Sequence, residues 1–241
     1  MKKMLNKVSV GLIAGAMTAL PLVASAQEEA PTVGTVGIDF SSAYVFRGVT
    51  LNDEPVAQPY LEAEIFSGLT VGTWANFDIG DYGGTLEDGQ FSEVDLYVKY
   101  TLPVEGVSLT LGYFEYTYPG SAIGADREIS LSAGLDLPLS PSLSIFYGLD
   151  GAPEENIYLE AGIGHSVEVA EGLSLNLAVA AGYLEPDMGE GGFHQWSATA
   201  KLSYEFVTAS VTYVGQLDDD VLTDEAYDVE LVGTISLSKA F

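Results

Sequence analysis

Val229-Glu230-Leu231-Val232-Gly233-Thr234-Ile235-Ser236-Leu237-Ser238-Lys239-Ala240-Phe241 is the stretch that decides the fold. Successive strand side chains point to opposite faces, so Val229, Leu231, Gly233, Ile235, Leu237, Lys239 and Phe241 share one face and Glu230, Val232, Thr234, Ser236, Ser238 and Ala240 the other. A strand this long is an aggregation-prone edge unless it is paired or covered. A sheet closed into a barrel has no edge, and a closed barrel is the only β-structure that can span a membrane. The stretch therefore predicts the closing strand of a transmembrane barrel, with Phe241 as an aromatic terminus.

Reading outward, the same period of two gives about twelve strands: 36–49, 56–66, 69–78, 93–102, 107–117, 127–136, 142–150, 157–167, 173–183, 195–206, 209–217 and 228–241. Their connections alternate. Those near Ser67-Gly68, 103–106, 137–141, 169–172 and 207–208 are short, and those near 79–92, 118–126, 151–156, 184–194 and 218–227 are mostly longer and rich in Gly, Asp and Glu. Short turns on one side and longer loops on the other are the asymmetry of an outer-membrane barrel. The reading is all-β: a transmembrane, up-and-down antiparallel β-barrel over residues 36–241, preceded by a short segment over 27–35.

Residues 1–26 predict a signal peptide. Lys2, Lys3 and Lys7 form a basic start, Val8 to Val23 is apolar or small, and Ala24-Ser25-Ala26 is a small-x-small cleavage site. The chain is thus expected to be exported to the bacterial outer membrane. Cleavage removes three of the eight basic residues and none of the 35 acidic ones, leaving five against 35, a net charge of −30. Such a charge excludes nucleic acid as a partner. The absence of cysteine removes disulfides and thiolate metal sites. No cofactor is implied.

The polar face names the pore-lining candidates: Arg47, Glu62, Glu64, Asp95, Lys99, Glu128, Glu160, Lys201, Glu205 and Glu230. Buried charges must be paired or hydrated, and three cations cannot pair so many carboxylates. Small residues such as Ser130, Ser132, Gly134, Ala178 and Ala180 leave room in the wall. A narrow, acidic, water-filled lumen follows. Arg47 is expected near the outer end of the first strand with Glu62 and Glu230 as neighbours, either locking the barrel seam or selecting solutes. Aromatics such as Phe40, Tyr44, Tyr100, Tyr113, Tyr204 and Phe206 are expected as lipid-interface girdles.

Ser41-Ser42-Ala43-Tyr44-Val45-Phe46-Arg47-Gly48-Val49-Thr50, followed by Pro55-Val56-Ala57-Gln58, resembles the N-terminal motif of the TorF-type porin family. Ala43 stands where that family usually has Asp, so a role for that carboxylate does not carry over. The resemblance implies an outer-membrane location and channel activity, and the strand ending at Phe241 looks like the signal read by the barrel-assembly machinery.

The expected function is a porin passing small hydrophilic solutes by passive diffusion, with outer-membrane lipid around it and cations preferred. Three other readings compete. Tyr60, Trp74, Tyr97 and Tyr158 could line a channel selective for a sugar or nucleoside. His194 with Asp187 or Glu190 could serve a barrel-mouth hydrolase, although the expectation is a protein that is not an enzyme. A non-conducting structural barrel is the third. Asp218-Asp219-Asp220 reads as a solvated acidic loop rather than a metal site, since it lacks a defined ligand loop.

Overall fold

A computed structural model describes residues 34–80 and 88–241, so the expected signal peptide over 1–26 and most of the expected short segment over 27–35 lie outside the described residues. Among the described residues fourteen strands are formed: β1 Gly34–Ser41, β2 Tyr44–Phe46, β3 Val49–Asn52, β4 Val56–Phe66, β5 Leu69–Asp78, β6 Gln90–Leu102, β7 Val107–Thr117, β8 Asp126–Leu135, β9 Ser142–Asp150, β10 Ile157–Ala170, β11 Leu173–Glu185, β12 Gly192–Tyr204, β13 Val207–Gln216 and β14 Leu231–Ala240. Twelve of them close a barrel in the order β1-β14-β13-β12-β11-β10-β9-β8-β7-β6-β5-β4. β2 and β3 pair only with each other.

Every barrel pair is antiparallel, and the ring shuts where β14 meets β1, from Thr35 opposite Ala240 to Ser41 opposite Thr234. At the far end of that seam, the Gly34 and Phe241 backbones hydrogen-bond each other in both directions, at 3.1 and 3.0 Å. The terminal strand thus has partners on both sides, β1 and β13. One end of the barrel carries the tight turns, with positive φ at Gly68, Gly106, Gly172 and Glu205. The other carries the long connections.

Alternation sorts the wall. Leu61, Leu96, Leu111, Ile163, Leu177 and Val211 point outward and are exposed, the pattern expected of a surface that meets lipid. Their strand neighbours point inward and are polar or small. Seryl and threonyl hydroxyls pair across that inner wall, Ser144 with Ser132 and Thr199 with Thr212, each at 2.9 Å.

The structure departs from the strand pattern in one place that matters. The first strand ends at Ser41 instead of running to residue 49, and 42–55 turns into the barrel as the β2–β3 hairpin. The apolar positions Tyr44 and Phe46 are buried in the lumen, packed with Leu51, Val56, Trp74 and Tyr97, so Tyr44 is not a lipid-interface ring. An aromatic face needs an apolar partner, and here the partner is the inner wall of β5 and β6 rather than lipid. Arg47 and Gly48 have φ of 47° and 85°, so both central residues of the two-residue turn are left-handed. This is the turn geometry that matches the twist of a tight hairpin.

Candidate functional site, the infolded hairpin and its acidic bed

The hairpin tip crosses the lumen. Arg47, 9% exposed, reaches β8, where its two terminal nitrogens donate to the two carboxylate oxygens of Glu128, each at 2.9 Å. Tyr116 donates to the same carboxylate at 2.9 Å. The guanidinium carbon lies 4.6, 4.5 and 4.2 Å from the ring centroids of Phe46, Phe146 and Tyr158. A planar cation suits both kinds of contact, the fork to the carboxylate and the stack on rings. Burial works against the guanidinium's charge, but Glu128 outweighs it and raises the arginine above its ordinary range.

The next residue must be glycine for two reasons. Its φ of 85° is left-handed, and a Cβ there would lie 2.8 Å from both Gln195 Cβ and Leu222 Cδ2. The tip is therefore wedged between β12 and the connection after β13. His194 on β12 also hydrogen-bonds the Arg47 backbone, while its Nδ1 lies 2.8 Å from Gln195 Oε1. That histidine is buried against Gln195 and the Tyr158 ring rather than paired with Asp187 or Glu190. The arrangement expected of a barrel-mouth hydrolase is not formed.

The hairpin's second strand is clasped from the other side. Thr50 donates its N–H to Ala226 O at 2.8 Å, and its Oγ1 accepts the N–H groups of Asp228 and Val229 at 3.1 and 3.0 Å. Asn52 donates to Asp78 Oδ1 at 2.7 Å and accepts the Glu54 N–H at 2.9 Å, which turns the chain back into β4.

Beneath the hairpin lies a bed of buried carboxylates: Asp78 on β5, Glu93 and Asp95 on β6, and Asp126 and Glu128 on β8. Four of the five accept a hydrogen bond from a neutral donor, which the sequence-based count of cations against carboxylates leaves out. Tyr44 donates to Glu93 at 3.0 Å, Tyr118 to Asp126 at 2.7 Å, and Asn76 to Asp78 at 2.9 Å. Tyr118, in the connection after β7, has its phenol pushed well up by burial first and then by Glu93 and Asp126, so it stays a donor. Glu93, Asp126, Asn76, Gln58 and the tyrosines are the residues that reading for charge missed. The available signal was a tyrosine or amide at nearly every inward position next to a carboxylate.

The expected pore-lining residues fall into three groups. Glu62, Asp95, Lys99, Glu128, Glu160 and Lys201 sit on the inward face. Lys99 donates to Glu62 at 2.5 Å, Tyr97 to the same oxygen at 2.8 Å, and Tyr158 to Glu160 at 3.2 Å. Lys201 is exposed on β12, on the opposite wall from Lys99, with the Asp39 carboxylate of β1 in its field. Glu64 is also on that face but at the rim, where it accepts the Gly68 N–H at 2.8 Å and caps the β4–β5 turn. Arg47, Glu205 and Glu230 are placed otherwise than expected. Arg47 is on the hairpin and pairs with Glu128, not with Glu62 or Glu230, because the chain leaves the wall at Ser42. Glu205 is exposed in the β12–β13 turn with φ of 52°. Glu230 is exposed just before β14, and its carbonyl accepts the Val214 N–H at 2.7 Å. The rings considered for solute binding also face inward, but Trp74 packs on Tyr44 at 5.4 Å and Tyr158 on Arg47, so the hairpin covers both.

Solved structures share this architecture. The NanC porin aligns over 86% of this chain and 99% of its own, with 9% identity and a TM-score of 0.53. An outer-membrane channel from Pseudomonas putida F1 aligns over 88% and 97%, with 12% identity and a TM-score of 0.53. The translocator domain of the autotransporter NalP from Neisseria meningitidis aligns over 89% and 90%, with 12% identity and a TM-score of 0.51. At these identities the likeness is one of fold. No curated protein matches the chain. The model of a bacterial family described as protein of unknown function, Gcw_chp, matches residues 25–238, and the chain belongs to that family.

Proposed function

We propose that this chain is a bacterial outer-membrane channel for passive diffusion of small hydrophilic solutes, with cations preferred. The observation that carries the reading is the inversion of a soluble protein's pattern: exposed Leu, Ile and Val outside a closed barrel, and charged, hydroxylic and small residues inside it. An eight-stranded barrel is filled by its own side chains, whereas twelve strands enclose more width than the small wall residues of β8–β13 occupy. The likeness in fold to a porin and to an outer-membrane channel supports the same reading, as does the TorF-type resemblance, whose residues form the infolded hairpin.

In this account residues 1–26 are a cleaved export signal, the tight turns face the periplasm and the long connections face outward. The strand ending at Phe241 is offered to the assembly machinery. The hairpin narrows the outer half of the lumen, and the half near the turns is a hydrated vestibule. Preference for cations comes from carboxylates that outnumber Lys99 and Lys201 along the wall. Purified protein in a planar bilayer under a potassium chloride gradient tests it. Discrete conductance with a reversal potential of cation sign is expected; silence or anion preference would overturn the reading.

A further inference from the structure

Of the four ion pairs among the described residues, Arg47–Glu128 is the one buried on both sides, with side-chain exposures of 5% and 3%. Its two halves have different origins. Arg47 arrives on the hairpin tip together with Phe46, whereas its other partners are fixed in the barrel wall: Tyr116 on β7, Glu128 on β8, Phe146 on β9 and Tyr158 on β10. Phe146 and Tyr158 are directly opposed across β9 and β10, with ring centroids 6.2 Å apart. These four side chains form a receptor built from the wall alone. It offers a buried carboxylate whose two oxygens face the tip, a phenol holding one of them at 2.9 Å, and two ring faces 4.5 and 4.2 Å from the cation's carbon. The occupant is delivered by a non-glycine residue with φ of 47°, a left-handed turn whose strain is relieved when the tip lifts.

We propose that this wall receptor is a binding site for small guanidinium-bearing solutes and that Arg47 is its built-in competitor: a solute guanidinium takes over Glu128, frees the hairpin tip and so opens its own way through the lumen. The proposal rests on the channel reading and names the solute class. A carboxylate that takes two parallel N–H bonds beside two ring faces suits a planar, weakly hydrated cation. Potassium offers the carboxylate no donor, and an ammonium is a compact, strongly hydrated point charge. A sugar or an anion cannot replace Arg47 without leaving Glu128 buried and uncompensated. Toward the tight turns, the inward face of β8 continues from Glu128 as Ser130 and Ser132, and that of β10 continues from Tyr158 as Glu160. A cation leaving the site therefore meets hydroxyl and carboxylate groups.

A tethered competitor acts at an effective concentration in the millimolar range, so it weakens the apparent affinity for a free solute without altering the receptor. Methylguanidinium chloride is the probe, with methylammonium chloride and methylurea as the cationic and the planar neutral controls. Titration calorimetry on detergent-solubilised wild-type protein should show saturable binding of methylguanidinium and not of the controls. Arg47→Ala should bind it at least about tenfold more tightly, because the competitor is gone. Adding Glu128→Gln to Arg47→Ala should remove that gain, and adding Phe146→Leu, which leaves the carboxylate in place, should reduce it. Trp74 reports displacement of the hairpin because its ring packs on Tyr44, and Trp196→Phe leaves it the sole tryptophan of the chain. In that background, with Arg47 in place, methylguanidinium should raise acrylamide quenching of Trp74 saturably, with the midpoint found by calorimetry.

Equal affinity in the wild type and Arg47→Ala, a gain that survives Glu128→Gln, or controls that bind as tightly would overturn the site. In planar bilayers with methylguanidinium as the sole cation, the wild type should carry current. The expected binding beside silent bilayers would overturn the channel reading alone; current without Arg47-dependent binding would overturn the site alone.

Discussion

Arg47→Ala removes the latch at the hairpin tip, and its effect can be worked from the contacts. Two charge-assisted hydrogen bonds and three ring contacts disappear, and Glu128, 2% exposed, is left charged without its cation. Removing one partner of a buried pair costs about 3–5 kcal/mol. Alanine would still need the left-handed φ of 47°, so the strain at that turn, about 1 kcal/mol, is not relieved. A loss of about 3 kcal/mol shifts the docked-to-released ratio by more than a hundredfold. Much of that loss is the stranded carboxylate, so Arg47→Ala with Glu128→Leu should recover part of it. Trp74 emission in the Trp196→Phe background measures docking, and single-channel conductance measures the bore. An Arg47→Ala protein with wild-type emission and conductance, or a double variant no better docked than the single one, would refute the reasoning.

Gly48→Val should release the hairpin at neutral pH, since its Cβ would lie 2.8 Å from Gln195 and Leu222 on a backbone valine rarely adopts; increased quenching of Trp74 checks this. Leu177→Arg, at an outward position of β11 that is 52% exposed, should cost about 2–4 kcal/mol of folding stability in lipid. Thr199→Arg, on the inner wall opposite Ala178, should cost much less and lower cation selectivity instead. Denaturant titration in liposomes separates the two.

The barrel was legible in the sequence because an apolar outer face and a polar inner face impose a period of two on every wall strand. The expected 56–66, 69–78, 107–117 and 142–150 coincide with β4, β5, β7 and β9. The hairpin was not legible by the same signal. Tyr44-Val45-Phe46 alternates like a wall strand whether its rings face lipid or fold inward, and pairing partners cannot be read from alternation alone. What marks the break is local: Arg47-Gly48 as a two-residue turn, and Asn52 placed to cap the return into β4. Counting charges also misled the reading of Arg47, since proximity along neighbouring strands suggested Glu62 and Glu230 while the true partner, Glu128, is 81 residues away across the bore. Glu93 and Asp126 escaped notice because they lie at the first residue of, and just before, the expected strands 93–102 and 127–136, whereas β6 and β8 begin at Gln90 and Asp126.

The most direct test of the whole account is the conductance of the protein with residues 42–55 replaced by a short Gly-Ser turn, beside the wild type in the same planar bilayer. The account predicts discrete cation-preferring channels in both, with a conductance several-fold larger once the hairpin is gone. Equal conductance in the two proteins, or silence in both, would contradict it.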